Sequence, residues 1–334
     1  MGKIKILNKG VLTSIQDLGR RGYQKYGVPI CGVMDEYSHK MANVLVSNEI
    51  EEATLEVTLF GLKIEFIDKQ IISITGGNLQ PKINNKLVDM WQTIEVEKGD
   101  ILTFSGIKSG LRSYIAFSGG LDIEKTMGSK SYYSRADLGT KIENNQILNI
   151  KTNLKSKKLK LEKKYIPEFE NKIECRVVIG PQDDCFSDKA IDIFFGSEYA
   201  LENDSDRMGF RLMGEQINHK RTADIISDGL SKGAIQIPGS GQPIIMMSDA
   251  QTTGGYTKIG YVIKEDLDKL SQLKPGDKIK FKKITIEAAQ KEYIKYVNKY
   301  YEIINDLHTN KNITEYKIKV NGKKYQVSVE VIED

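Results

Sequence analysis

Gly233-Ala-Ile-Gln-Ile-Pro-Gly-Ser-Gly-Gln-Pro-Ile-Ile-Met-Met-Ser-Asp-Ala-Gln-Thr-Thr-Gly-Gly-Tyr256 holds two short apolar runs, divided by Pro and Gly and followed by a polar loop. The runs, 234–237 and 244–247, are too short for helices and are bracketed by turn residues, so both read as buried strands. The second runs out into Ser248, Asp249, Gln251, Thr252 and Thr253, which crowd donors and acceptors at a strand end. Gly254 and Gly255 follow, and without a Cβ they let backbone approach a ligand. A polar, Gly-rich loop leaving an apolar strand is where small polar molecules are held.

The same style extends in both directions. Residues 173–179, 210–212, 257–263 and 278–281 read as further strands of the second half, and 4–7, 54–57, 62–66, 71–75, 94–96, 101–104 and 112–118 as strands of the first. Most are bounded by Gly, Asn or Asp and are not separated by regular helices, so a β-dominated barrel or sandwich is expected over a layered parallel α/β fold. One early helix is clear. Met34, Tyr37, Met41, Val44 and Leu45 recur at spacings of three and four, with Asp35 placed as its cap and an end near Asn48.

Glu95-Val-Glu-Lys-Gly-Asp-Ile-Leu-Thr-Phe104 resembles Gln272-Leu-Lys-Pro-Gly-Asp-Lys-Ile-Lys-Phe281, each a Gly-Asp turn feeding a strand, which suggests two related bodies. Between them, residues 151–164 carry seven Lys against one Glu, and this stretch reads as a linker at 151–172. Ile286, Ala289, Tyr293, Val297, Tyr300, Ile304 and Leu307 then step as a helix of five to six turns. Strict alternation over 316–320 and 325–331 around Asn321-Gly322 predicts a hairpin with a type I′ turn. The expected division is therefore 1–150, 151–172, 173–284 and 285–334.

At 334 residues, 40% hydrophobic and 28% charged, the chain has the composition of a folded protein of two domains. Mean hydropathy is −0.38 and no apolar run reaches the length of a membrane span, so no membrane partner is expected. Met1-Gly-Lys-Ile-Lys-Ile-Leu7 offers no signal-like apolar segment, and the expected location is cytoplasmic. Net charge is +4, with the basic excess in a stretch free of aromatics, which argues against nucleic acid. Three cysteines without a CxxC read as reduced thiols rather than as a zinc site.

Several chemistries lack their motif. Gly128-Ser-Lys-Ser131 is only the tail of a phosphate loop, Gly239-Ser-Gly241 opens a strand instead of a dinucleotide-binding helix, and there is no H-E-x-x-H. No cofactor and no metal is therefore expected on a motif of this chain. His39, His219 and His308 read as three solvated histidines, His39 on the exposed side of its helix. Candidate polar groups are Asp249, Gln251, Thr252, Thr253, Tyr256 and Gln242 in the long motif, Asp206 and Arg207 in Asp204–Arg211, and Asp17, Arg20 and Asp35 near the start. Arg suits recognition of carboxylate or ureido groups, and a desolvated carboxylate suits general base work.

Taken together, Thr13-Ser-Ile-Gln-Asp-Leu-Gly-Arg20, Gly27-Val-Pro with Met34-Asp35, Ser205-Asp-Arg-Met-Gly-Phe-Arg-Leu212 and the 233–256 motif closely resemble the allophanate hydrolase subunit 2 family. That family is also known as the KipA or biotin-dependent carboxyltransferase family, and it includes the C-type subunit of 5-oxoprolinase. The resemblance spans about residues 3–285. It implies two cyclophilin-like β-barrels with few helices, to which the C-terminal helix and hairpin are added.

It further implies an enzyme subunit working with a KipI-like, B-type 5-oxoprolinase protein and with an A-type protein of the LamB/YcsF kind, in ATP-dependent opening of 5-oxoproline to glutamate. The alternatives it carries are biotin-dependent carboxyl transfer to urea or a related amide, and a non-catalytic regulator that binds a KipI-type partner. Asp249, Gln251, Asp206 and Arg207 are then the expected catalytic groups, with Thr252, Thr253, Tyr256, Gln242, Asp17, Arg20 and Asp35 holding substrate. Ala250 stands where the family commonly has Arg. The hairpin resembles the opening of a biotin carboxyl carrier protein, yet no Ala-Met-Lys-Met is present, so carboxybiotin would come from another chain, as ATP would at the level of the complex.

Overall fold

The computed structural model describes residues 2–151, 153–154, 157–309, 313–320 and 323–330. The first half is built of two sheets. One runs Ile147–Ile150, Gly2–Lys9, Leu62–Phe66, Ile101–Phe104, Pro81–Ile83, Lys86–Leu87, and the other Leu12–Gln16, Thr54–Thr58, Ser109–Phe117, Gln70–Asn78, Thr93–Val96. Alternating side chains of both, among them Ile4, Ile64, Phe66 and Phe104 from one and Leu55, Val57, Ile74 and Phe117 from the other, meet in a single apolar core.

The second half is a closed barrel. Seven strands follow in the order Lys172–Ile179, Lys278–Lys283, Glu198–Leu201, Gly209–Met213, Ile244–Met246, Ala234–Ile237 and Thr253–Val262, and the last pairs back with the first through Val177↔Val262 and Ile179↔Gly260. A Cβ on Gly260 would sit 2.5 Å from Val177 Cγ1, so this seam closes only on glycine. Asp224–Gly229 continues the sheet as an outer arm on Thr253–Val262.

The repeated Gly-Asp turn is the same object in both halves. Gly99 and Gly276 have φ of 87° and 89°. Asp100 and Asp277 each accept from the amide three residues earlier, Glu97 at 2.8 Å and Lys274 at 3.0 Å. Phe66 and Leu201 donate to the Asp100 and Asp277 carbonyls, both at 2.9 Å, and accept from Gly99 and Gly276. The duplication suggested by two short sequences thus extends to the hydrogen bonding around them.

Among the described residues four α-helices decorate the sheets: α1 (Glu36–Leu45), α2 (Asp188–Gly196), α3 (Lys264–Leu270) and α4 (Ile286–Thr309). Asp35 caps α1 as its spacing predicted, accepting from Ser38 N at 2.9 Å, although the helix stops at Leu45, earlier than Asn48. α2 and α3 are too short to show a helical period in the sequence. α4 lays Tyr300, Ile303 and Leu307 against Tyr37, Met41, Val44 and Leu45 of α1, together with Leu161 and Tyr165 of the Lys-rich stretch. That stretch is anchored as well as charged, with Thr93 N and Leu161 N bonded to Leu159 O and Trp91 O. No helix of the described residues is long and apolar enough to cross a membrane.

Two expectations need correction or limiting. His39 is 0% exposed, not solvated: its Nδ1 meets Thr54 Oγ1 at 2.9 Å on the inner face of α1, and burial pushes its pKa down to about 4. His219 is half-buried against Phe186, its Nε2 2.9 Å from Thr257 Oγ1. The hairpin arms Ile313–Val320 and Lys323–Glu330 pair from Ile313↔Glu330 to Val320↔Lys323. The type I′ turn at 321–322 and Val331 lie outside the described residues.

Candidate functional site

Arg207 joins the two halves. Its guanidinium is bidentate on Asp249 (Nε–Oδ2 and Nη2–Oδ1, both 2.9 Å), pairs through Nη1 with Glu56 Oε1, and donates from Nη2 to Gly32 O at 2.5 Å. Asp249 and Arg207 come from strand ends in the barrel, and Asp249 N is tied to Arg207 O at 2.8 Å. Glu56 sits in mid-strand in the first half and takes Met34 N and Tyr114 Oη, each at 2.9 Å. Burial alone would raise the Glu56 carboxyl; Arg207 and then Arg112 outweigh it and hold the group below its usual range. Ser248 Oγ adds a bond to Val33 O at 2.9 Å.

Facing this clamp is a double loop from the first half. Arg20 N bonds Ile30 O at 2.8 Å and Val33 N bonds Asp17 O at 2.9 Å. The two strands of the loop lie so close that a Cβ on Gly19, φ 85°, would meet Ile30 O at 2.5 Å, and one on Gly32, φ 86°, would meet Asp17 O at 2.9 Å. Asp17 organises the loop: it accepts from Ser129 Oγ, Ser131 Oγ, Lys130 N and Gly19 N at 2.6–2.8 Å. Burial raises its carboxyl, but those four donors win and lower it. Between loop and clamp lies Cys31, whose thiol burial and then Asp249 push up to about 12, so it is a neutral thiol and no nucleophile.

A second polar station lies along the same seam. Asp35 accepts from Ser38 N, Ser38 Oγ and Gln272 Nε2 at 2.6–2.9 Å, while Asp268 accepts from Glu36 N at 2.9 Å and Tyr296 Oη at 2.8 Å. Burial, then the neighbouring Asp268, pushes the Asp35 carboxyl up to about 7. Gln272 is a cross-brace, its Oε1 receiving Leu111 N and Arg112 N at 3.0 and 2.9 Å. A cavity of about 800 Å³ opens here between Asp35, Tyr37, residues 164–176, α3 and α4; neither Arg207 nor Asp249 lines it.

The remaining expected residues diverge. Asp206 binds Met208 N and Gly209 N and reaches Arg135 at 3.3 Å across the outside of the seam. Gln242 spends both ends of its amide on Gly214 backbone, at 2.9 and 3.0 Å. Gln251 and Thr253 are exposed, Thr252 is half-buried, and Thr253 and Tyr256 belong to the strand arm paired with Asp224–Gly229. The 233–256 motif thus has two parts: its Ser248-Asp249 end is buried at the seam, and its Thr-Thr-Gly-Gly-Tyr end faces solvent.

Glu56, Tyr114, Asp268 and Gln272 were not picked out from the sequence. Glu56 leaves no signal in the sequence: it alternates with Leu55 and Val57 on the same side as Thr54 and Thr58, as a solvent-facing carboxylate of a half-buried strand would, and its burial comes from what packs on that face. Gln272 precedes a Gly-Asp turn, and nothing in that motif marks its side chain.

Comparison with known proteins shows the family of the chain. Carboxyltransferase domain, subdomain A and B, matches residues 26–283. The C subunit of 5-oxoprolinase from Escherichia coli (strain K12) is 33% identical over 292 residues, covering 86% of this chain and 93% of that protein. Urea amidolyase of Saccharomyces cerevisiae is 30% identical over 313 residues, which is 86% of this chain but 17% of the yeast protein. The structure of Kluyveromyces lactis urea amidolyase superposes with a TM-score of 0.82 at 28% identity over 89% of this chain and 20% of that one. The clamp and the barrel that carries it fall within the matched stretches, and the chain belongs to the carboxyltransferase domain family, subdomains A and B.

Proposed function

We propose that this chain is one component of a heteromeric amide-processing enzyme of the cytoplasm, the C-type component of a 5-oxoprolinase, acting with B-type and A-type components in ATP-dependent opening of 5-oxoproline to glutamate. The observation that carries the reading is the Arg207 clamp: one guanidinium holds Asp249 of the barrel and Glu56 of the first half in fixed relation, at the end of the motif shared with the family. Similarity along 93% of a 5-oxoprolinase C subunit supports the C-type reading.

In this reading Asp249 accepts a hydrogen bond from the lactam N–H and, as water adds to the activated ring carbonyl and the C–N bond breaks, relays the proton of that water to the departing nitrogen, while Arg207 orients it. The exposed Gln251, Thr253 and Tyr256, with the half-buried Thr252, meet the substrate where the B-type, KipI-like partner closes over the arm. ATP is handled by the assembled complex with its LamB/YcsF-type component.

A second reading, carboxyl transfer from carboxybiotin on a separate carrier protein to urea or a related amide, is supported by the family itself and by the likeness to urea amidolyase. Glutamate formation from 5-oxoproline and ATP by the co-purified complex tests the first against the second. Asp249→Asn is expected to lower kcat at least ~100-fold with the complex intact, the scale on which loss of a positioned acid–base group acts. Full turnover by an Asp249→Ala, Gln251→Ala double variant would remove both residues from the mechanism.

A further inference from the structure

The strand Thr253–Val262 belongs only in part to the barrel. Residues 257–261 pair with Ala234–Ile237 and 260–262 with Lys172–Ile179. Residues 253–256 pair with Asp224–Gly229 alone, and that strand has no other neighbouring strand among the described residues. The two form a ribbon that projects past the barrel end, with the Thr-Gly-Gly-Tyr part of the motif on its inner strand. A two-stranded ribbon is marginal in water by itself, and an open edge is a template for a third strand.

The outer edge is unfinished in three respects. Ile226 is 94% exposed, more than any other large apolar side chain of the described residues. Ala223 O takes Thr257 N and Thr252 O takes Leu230 N, so the alternation of an antiparallel pair turns the amides of Asp224 and Gly229 outward. Those two amides are tied off by exposed side chains, Thr222 Oγ1 at 3.1 Å and Asp228 Oδ1 at 2.7 Å, and such bonds exchange for the carbonyls of a neighbour at little net cost. Gly229 has no left-handed φ, and a Cβ built on it would meet nothing within 4 Å. Neither the conformation nor the packing of this chain calls for glycine there, whereas a bulky side chain on an adjoining strand would lie over it.

A second copy of the chain does not suit this edge. Antiparallel self-pairing centred on Ile226 would set Asp224 against Asp228 twice over, and like charges directly opposite repel. Asp228 is bonded to Lys258 yet keeps its side chain 55% exposed. The complementary segment is an extended one, with an apolar residue for Ile226 and Lys or Arg beside the two aspartates.

We propose that the B-type component joins this chain by strand addition, an extended segment of it pairing with the outer edge of Asp224–Gly229. This rests on the functional reading above and deepens it by stating how the partner engages the arm. A three-stranded sheet fixes the ribbon and, through Thr253 and Tyr256, one wall of the proposed substrate site.

The test uses the full chain with the B-type component of the co-purified complex. Ile226→Asp is expected to weaken their association roughly 10- to 100-fold in calorimetric titration, the range for withdrawing a buried isoleucine. Alone, that variant should melt with wild type, since the side chain it replaces packs against nothing. Ile226→Val should bind within a few-fold of wild type. On complex formation the amides of Asp224 and Gly229 should slow at least ~10-fold in hydrogen exchange. Wild-type affinity in Ile226→Asp, or an affinity loss without slowing of those two amides, would overturn strand addition. So would a wild-type chain that dimerises through the ribbon, seen as a doubled mass that Ile226→Asp abolishes. Turnover is read separately. A complex that forms as described but leaves 5-oxoproline closed removes the functional reading and upholds the docking edge, whereas an active complex indifferent to Ile226→Asp removes the edge and leaves the function.

Discussion

The two polar stations on the seam are neighbours that share a residue, yet they settle their charge in opposite ways. Tyr114 Oη donates to Glu56 at 2.9 Å and accepts from Asp35 N at 2.9 Å, so one hydroxyl touches both. Around Arg207 two carboxylates are buried and Glu56 remains ionised below its usual range. Around Asp35 two carboxyls are equally buried, face each other without a cation in contact with Asp35, and its proton is held up to about 7. Burial is common to both, and the formal charge of the immediate neighbour decides the outcome.

The largest test of that contrast is Arg207→Met, which abandons two buried carboxylates and should cost about 3–5 kcal/mol in urea unfolding. Removing the charges as well, in Arg207→Met with Glu56→Gln and Asp249→Asn, should return most of the loss. A triple variant as unstable as the single one would show that packing, not charge, is what Arg207 supplies. Tyr114→Phe comes next, at about 1–3 kcal/mol, since it leaves Asp35 N–H unsatisfied and takes a donor from Glu56. A loss of stability indistinguishable from zero would mean the stations are independent.

Asp35→Asn is a subtler probe, read as a pH slope. The folded Asp35 binds its proton more tightly than the unfolded one, with a carboxyl at about 7 against 3.8, so its stabilising contribution is complete at low pH and is lost as pH rises from about 4 through 7. His39 works in the other direction: pushed by burial from 6.5 to about 4, it costs stability as pH falls through that interval. Asparagine keeps the cap on α1 and removes the first effect, so the urea midpoint of Asp35→Asn should climb between about pH 5 and 7.5 more steeply than that of wild type. Equal slopes would discard the raised carboxyl. Smallest of all, Arg135→Ala should change stability by less than about 1 kcal/mol, because its pair with Asp206 is solvent-exposed on both sides.

Periodicity made most of this architecture readable beforehand. Leu62–Phe66, Ile101–Phe104 and Ala234–Ile237 were placed to the residue, because each is an apolar alternation or run closed by Gly, Pro or Asp. Leu12–Gln16 and Asp224–Gly229 were not, since the first reads as a polar motif and the second is an exposed arm with Ile226 bare to solvent. His39 was misplaced because helical spacing identifies a face but not what covers it, and here the sheet of Thr54–Thr58 lies on the side that looked free. At the site, Asp249, Arg207 and Arg20 stood out as residue types in motifs. Their partners Glu56 and Tyr114 lie 151 and 93 positions from Arg207 in the chain, and a pairing across such a separation leaves no local pattern.

Met34 has a consequence for the order of events in synthesis. It lies in the loop before α1, is 0% exposed, and its side chain belongs to the core of the opposite barrel, among residues from Cys175 to Phe281. A ribosome delivers this methionine some 250 residues before its socket is complete. The nascent first half must therefore wait with an oily plug uncovered and with Glu56 lacking its arginine. The first half has its own apolar core to assemble around, so what waits for the end of translation is the seam between the halves and not the fold of either.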